Sequence, residues 1–263
     1  MELGRVDMYL EVSVLSQYLA SPRQGHLKTA YHLFAYLKAH PQVKFVFDPT
    51  EPHVNERPFE KVDRTEACGG VVEELPARCP KPHGNSVIIS CFVDANHAGN
   101  CVTQRSHTGI LTFVNNAPVL FHSKQQNTVE TSAFGSKLVA MQIAKEMIFG
   151  LRHKLQMFSV LIEEPADVYC NDQGAVKNTS FLESTLSKKH NDINCHAVHK
   201  ACAAGIMRVA KDPTETNLAD LFTKPLIRLH QERLLACIVW GSFAHEKWWI
   251  RWKQKNIKDR AAS

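Results

Sequence analysis

Three carboxylates in this chain sit where a folded sheet could gather them. Asp94 closes the apolar run Val87–Val93 and is followed by small and polar residues before a second apolar run, Gly109–Val114. Asn171-Asp172 closes a shorter apolar run, Val168–Cys170, and Asp220 falls in the first turn of a helix predicted from Leu218. Acidic oxygens at strand ends and at a helix terminus are hard ligands. Brought together at one edge of an open sheet, they could hold divalent cations for hydrolysis. A lone aspartate at a strand end more often forms a turn, so the reading depends on whether the three converge. A second set, His190, Cys195, His196 and His199, has the residue types of a zinc site. Its spacing fits no usual ligand pattern, and an internally hydrogen-bonded helix–loop cluster is the better account of it.

The elements that would position these groups can be read from periodicity. Residues 87–94, 108–114 and 118–122 read as three strands in antiparallel succession, followed by a long helix over about 132–157. A strand at 167–171, a Thr/Ser/Lys-rich loop at 178–190, a helix at 191–204 and a strand at 206–210 come next. This order predicts an α/β fold: a mixed sheet, antiparallel strands first and parallel strands after, with flanking helices. A small helical appendage precedes it. In residues 5–45, Val6, Leu10, Val14 and Leu15 recur at helical spacing until Ser21-Pro22. His26–His40 repeats the pattern with Leu27, Ala30, Tyr31, Phe34 and Leu37, and Val43–Phe47 alternates as a short strand.

Between them the composition changes. Pro49, Pro52, Pro58, Pro76, Pro80 and Pro82 fall within 48–85, which predicts an irregular linker with one short strand at Val71–Val72. The chain therefore divides into 1–47, 48–85, 86–225 and a C-terminal stretch, 226–263. That last stretch carries an apolar segment, Leu226–Val239, and a basic and aromatic tail, Lys247–Arg260.

Composition is that of a globular protein: 263 residues, 44% hydrophobic and 22% charged, with a formal charge of +5. The eight cysteines show no C-x-x-C spacing, which predicts free thiols in a reducing compartment. No apolar run approaches the ~20 residues of a membrane span. The expectation is an intracellular protein, cytoplasmic or nuclear, with no membrane and no obligate protein partner.

Several stretches resemble the Pol polyprotein of copia-type retrotransposons, specifically the end of the reverse transcriptase and the ribonuclease H domain behind it. These are YLEVSVLSQYLASPRQGH, FVDANHAGNCVTQRSHTGILTFVNNAPVLFHSKQQNTVETSAFGSKLVAM, VYCNDQGAVKNTS-x-x-ESTLSKKHN, INCHAVHK and NLADLFTKPL, colinear from about Gly4 to Leu226. The resemblance implies a ribonuclease H-like fold over 86–225 and a helical remnant of the reverse transcriptase before it. It also implies an ancestral two-metal hydrolysis of RNA in RNA–DNA hybrids, with Mg2+ or Mn2+ as cofactor. Carried over position by position, it places catalytic, metal-binding aspartates at Asp94 and Asp220. The family's glutamate falls on Lys137 and its second aspartate on Asn171, with the acid displaced to Asp172. Lys137 shares a helix face with Met141, Ala144 and Ile148, so its ammonium is expected to reach towards Asp94. A pair between the two would fill the cation position.

Arg105, Lys124, Lys188, Lys189 and His196 are the candidate nucleic-acid contacts, since phosphate binding asks only for placed positive charge. Hairpin chemistry at Gln104, Arg105, Ser106 and Thr108, or a scatter of surface lysines, accounts for the same residues. Three functional outcomes stay open: an impaired ribonuclease H-type enzyme, a non-catalytic nucleic-acid-binding module, and a decayed reading frame without function.

Overall fold

The central strand of the sheet is buried on both faces, and this single property organises the molecule. The structure, a computed structural model, describes residues 5–52, 59, 69–75, 78–180 and 189–241. In chain order the elements are α1 (Tyr9–Ser16), α2 (Gln24–Ala39), β1 (Val43–Phe45), β2 (Ile89–Asn96), β3 (His107–Val114) and β4 (Ala117–Gln125). Then follow α3 (Ala133–Met157), β5 (Ala166–Cys170), α4 (Gln173–Ser180), α5 (Lys189–Ala203), β6 (Met207–Lys211), α6 (Arg228–Leu235) and β7 (Val239–Gly241). Two 3-10 turns, Val6–Met8 and Leu218–Phe222, complete the set.

Five strands form one mixed sheet in the order β4-β3-β2-β5-β6. β2, β3 and β4 are an antiparallel meander, while β5 pairs parallel to β2 and β6 parallel to β5. This is the mixed sheet expected from the sequence, antiparallel strands first and parallel strands after. Because successive strand residues point to opposite faces, β2 feeds two cores. Ile89, Cys91 and Val93 join Ile110, Met141, Ala144, Ile148, Val168 and Val198 beneath α3 and α5. Phe92 joins Leu111, Phe113, Phe222, Leu235 and Ile238 on the other side.

The second core recruits both ends of the described chain. Val6 is buried in it, Tyr9 sets its ring edge against Phe222 at 6.0 Å, and Ser13 donates to the Ser123 carbonyl at 2.6 Å. β1 pairs antiparallel with β7 in a separate two-stranded sheet, Phe45 opposite Val239.

Two local expectations are corrected. Val71–Val72 forms no strand. Instead residues 69–75 carry no regular secondary structure and are held down by Glu73, whose carboxylate takes a two-pronged contact from Arg152 at 2.9 and 2.6 Å. The buried Arg152 guanidinium also donates to the Glu164 carbonyl at 3.0 Å, so the pair is fully satisfied. Helix also intrudes on the loop expected at 178–190: α4 runs from Gln173 to Ser180 and α5 begins at Lys189. Residues 181–188 lie outside the described ones, as does the tail Lys247–Arg260.

Gly109 sets how closely the Leu218–Phe222 turn can approach the sheet. A Cβ there would lie 2.6 Å from the Thr223 methyl, 2.7 Å from the Ala219 carbonyl oxygen and 2.9 Å from the Phe222 Cβ. Gly109 pairs directly with Asp94 in the β2–β3 register, so the missing side chain is what lets the turn reach Asp94.

Candidate functional site

Asp94 is buried near the end of β2, at 2% exposure. The turn at Leu218–Phe222 is fastened beside it by Asn217, which donates to the Val93 carbonyl at 3.1 Å and accepts from the Ala219 amide at 3.0 Å. That anchoring delivers three groups to Asp94. The Thr223 hydroxyl donates to Asp94 Oδ2 at 2.9 Å, Lys224 Nζ stands 3.6 Å from the same oxygen, and Asp220 accepts from Lys224 at 2.9 Å through Oδ2.

α3 delivers the fourth. Ser132 caps the helix by accepting from the Gly135 amide at 3.1 Å, a strong N-terminal signal. The buried Gln126 side chain then ties its first turn to the sheet, donating to the Ser136 carbonyl at 2.8 Å and to the Thr108 hydroxyl at 2.9 Å. Lys137, next along, points into the cluster. Its ammonium donates to Asn171 Oδ1 at 2.5 Å and lies 3.6 Å from Asp94 Oδ1 and 3.9 Å from Asp172 Oδ2. β5 ends at Cys170, so Asn171 and Asp172 both leave the pleat and reach the same ammonium. Asp172 is also committed locally, accepting from the Ala175 amide at 2.7 Å and starting α4.

The geometry thus brings Asp94, Lys137, Asn171, Asp172 and Asp220 into one cluster at the carboxyl ends of β2 and β5. Its electrostatics are those of an internally neutralised site. Burial alone would raise the Asp94 pKa, but Lys224 and then Lys137 hold it below the ordinary carboxylate value. Asp220 goes the other way, pushed up to about 7 by burial and by the Asp94 charge, against the opposing Lys224 contact. Lys224 is raised: burial is the largest single effect and lowers it, but the hydrogen bond to Asp220 and the negative charges of Asp94 and Asp220 together outweigh it. Asp220 Oδ1 is buried without a hydrogen-bond partner.

These residues do not fit a pair of divalent ions. Among the described residues no group of three or more His, Cys, Asp or Glu side chains is placed to hold a metal. Ammonium groups stand within 3.6 Å of both Asp94 oxygens. Mg2+ depends on a few carboxylates for its negative surroundings, and here that potential is already cancelled.

The remaining candidates are dispersed. Arg105 and Lys124 are exposed at the end of the sheet where β2 finishes, since Lys124 lies opposite Thr108 and next to Ser123. His196 is exposed on α5 and faces Asp192 at 3.6 Å. No hydrogen bond or ion pair among the described residues links these three to the carboxylate cluster. Lys189 opens α5, and Lys188 lies outside the described residues. Ser106 and Thr108, read as a polar turn, are instead buried. Ser106 accepts from the Ala98 amide, and Thr108 is bonded to Gln126. Cys195 and His199 both bond the Asn178 carbonyl, at 2.9 and 2.7 Å, and tie α5 to α4 rather than holding zinc.

Sequence reasoning missed Lys224 and Thr223 as members of the cluster. The signal was in view, because both sit in the NLADLFTKPL stretch, three and four residues beyond Asp220.

No family model matches the chain. It is similar to retrovirus-related Pol polyproteins from plant transposons. To that of RE1 from Arabidopsis thaliana it is 23% identical over 224 residues, 85% of this chain and 13% of the relative. To that of RE2 from the same plant it is 24% identical over 146 residues, 56% of this chain and 10% of the relative. To that of TNT 1-94 from Nicotiana tabacum it is 30% identical over 149 residues, 55% of this chain and 11% of the relative. The chain therefore spans only 10–13% of the length of these curated relatives. Among solved structures it is similar to LC11 ribonuclease H1, described in complex with an RNA/DNA hybrid, at 18% identity and a TM-score of 0.39, covering 51% of this chain and 93% of that one. It is also similar to the N-terminal ribonuclease H domain of a Mycobacterium tuberculosis protein, at 11% identity and a TM-score of 0.40, covering 52% and 91%.

Proposed function

We propose that this chain is the ribonuclease H portion of a copia-type retroelement Pol protein in which hydrolysis of RNA–DNA hybrids has been lost. The supporting observation is the placement of Lys137, whose ammonium bonds Asn171 and stands 3.6 Å from Asp94. A positive charge occupies the place where the ancestral chemistry needs Mg2+ or Mn2+, and two of the four carboxylates carried over from the resemblance are a lysine and an asparagine. Hydrolysis by this fold relies on metal ions to activate water and to stabilise the leaving oxygen. With Asp94 already neutralised and Asp220 raised towards neutrality, neither task has a ligand set.

What remains is a nucleic-acid-binding surface. Arg105 and Lys124 are exposed at the site's end of the sheet, which favours engagement of a hybrid or related duplex through its phosphates. The described cysteines are free thiols, which supports an intracellular location, cytoplasmic or nuclear. No helix among the described residues is long and apolar enough to cross a membrane.

The test is incubation of the purified chain with a labelled RNA–DNA hybrid in Mg2+ and in Mn2+. The expected result is no cleavage above a buffer control, together with binding that weakens as salt rises. Cleavage that disappears in Asp94→Asn would overturn the proposed loss of activity, and affinity indifferent to salt would overturn the proposed binding.

A further inference from the structure

We propose that the outward face of α2 docks an acidic amphipathic helix of a partner protein, an interaction separate from the nucleic-acid surface proposed above. The sequence alone points to no protein partner, but α2 is an anomaly in the fold. It is 16 residues long, rich in Leu, Tyr, Phe and Ala, and none of its residues is buried. Leu27, Tyr31 and Phe34 recur at i, i+4 and i+7, which places them on one face. They are 55, 64 and 66% exposed. A helix in water normally turns such a stripe towards a core, whereas this one turns it outwards. Contiguous exposed apolar surface of this kind marks an interaction site.

Charge identifies the occupant. The same face continues to Arg23 at one end and Lys38 at the other, both exposed, and Lys28 flanks the stripe. From Arg23 to His40 there is no Asp or Glu. A second copy of α2 laid against the first would therefore oppose cation to cation, which disfavours self-pairing. A nucleic acid would use the cations but leave the aliphatic and aromatic stripe unmatched, since phosphate contacts carry no apolar requirement. A helix with its own i, i+4, i+7 apolar anchors and carboxylates at both ends satisfies stripe and cations together, in the helix-against-helix mode of recognition. α2 is well placed for this because its attachment to the body is light: Tyr18 stacks on His26 at 4.0 Å, and the Arg5 guanidinium lies over the Tyr36 ring at 5.7 Å.

The experiment uses the full chain and two synthetic helical peptides sharing one leucine stripe, one flanked by glutamates and the other by lysines. Binding is read by fluorescence anisotropy, self-association by sedimentation, and hybrid binding by gel shift. Two variants accompany the native chain: Lys28→Glu with Lys38→Glu, and Leu27→Ser with Tyr31→Ser and Phe34→Ser. All five positions are exposed, and circular dichroism confirms that both variants fold. The expected result is that the glutamate peptide binds at least about tenfold more tightly than the lysine peptide, and that each variant loses this binding. Equal binding of the two peptides, no binding of either, or binding unchanged in the serine variant overturns the proposal. So does a dimer that the serine substitutions dissolve, which would make the face a self-interface. A hybrid gel shift abolished by the glutamate substitutions, with no peptide binding, would assign the face to nucleic acid and likewise overturn it.

Discussion

Installing the two carboxylates that the resemblance to Pol polyproteins implies at positions 137 and 171 should turn an internally neutralised site into a metal-dependent one. In the double variant Lys137→Glu with Asn171→Asp, the ammonium 3.6 Å from Asp94 Oδ1 is replaced by a carboxylate, and a further carboxylate takes the place of its hydrogen-bond acceptor. At an effective dielectric near 20, a unit charge pair at that separation interacts by roughly 4–5 kcal/mol. Losing one partner of a buried pair costs about 3–5 kcal/mol, so with repulsion added at a site only 14% exposed on the lysine side the variant should be destabilised by at least about that much in the absence of metal. Mg2+ would then act as a ligand of the folded state, returning about 2.7 kcal/mol when present at about a hundredfold over its dissociation constant. For a chain of this size that corresponds to a rise in Tm of roughly 5–10 °C. The assay is thermal unfolding of the native and double-variant proteins with and without excess Mg2+. The native midpoint should not move, while the variant should melt low and recover. A native protein whose midpoint rises in Mg2+ as much as the variant's would refute the claim that Lys137 and Lys224 have already neutralised Asp94.

Two further substitutions probe how the site is held. Gly109→Ala should destabilise the protein by about 1–3 kcal/mol by overpacking. The new methyl meets the Ala219 carbonyl and the Phe222 Cβ, and an unchanged denaturation midpoint would show that the Leu218–Phe222 turn is free to retreat. His107 is buried, shares a 2.8 Å hydrogen bond with Ser123 and has its pKa pushed down to about 4 by burial and by the neighbouring His122. Its folded pKa lies below its ordinary value, so the unfolded chain takes up the proton first. Stability should be complete above about pH 6.5 and fall towards pH 4, by of the order of 3 kcal/mol at most. His107→Gln should flatten that part of the stability–pH curve, and an unaltered slope would place the titration elsewhere.

The sheet and the heart of the site were legible because their signals are local. β2 reads as a strand because apolar residues occupy both parities, and Asp94 stands out because it ends that run. Lys137 could be placed because helix periodicity puts it on the face of Met141 and Ala144, which the structure buries. The misses have long-range causes. Residues 69–75 carry no pattern of their own and are fixed by a contact from Glu73 to Arg152, 79 residues away. α4 is short and polar, and it starts because Asp172 caps it rather than because an apolar stripe demands it. Ser106 and Thr108 look like turn residues by type, yet they are buried because Gln126 and the Ala98 amide satisfy them. Lys224 reads as a surface lysine until Asn217 brings the turn against Val93.

The pairing of Phe45 with Val239 also has a kinetic meaning. Strand β1 precedes its partner by almost 200 residues, so the small sheet is among the most sequence-distant contacts between the described residues. Closing so long a loop slows folding. On a ribosome, β1, Tyr9 and Val6 would wait with their apolar surfaces uncovered while the five-stranded sheet formed, because the turn and strand that cover them follow that sheet in the chain. During synthesis the segment from Val6 to Phe45 therefore calls for chaperone shielding until β7 emerges. Damage to β7 should surface as aggregation of new chains before it appears as lower stability in finished ones.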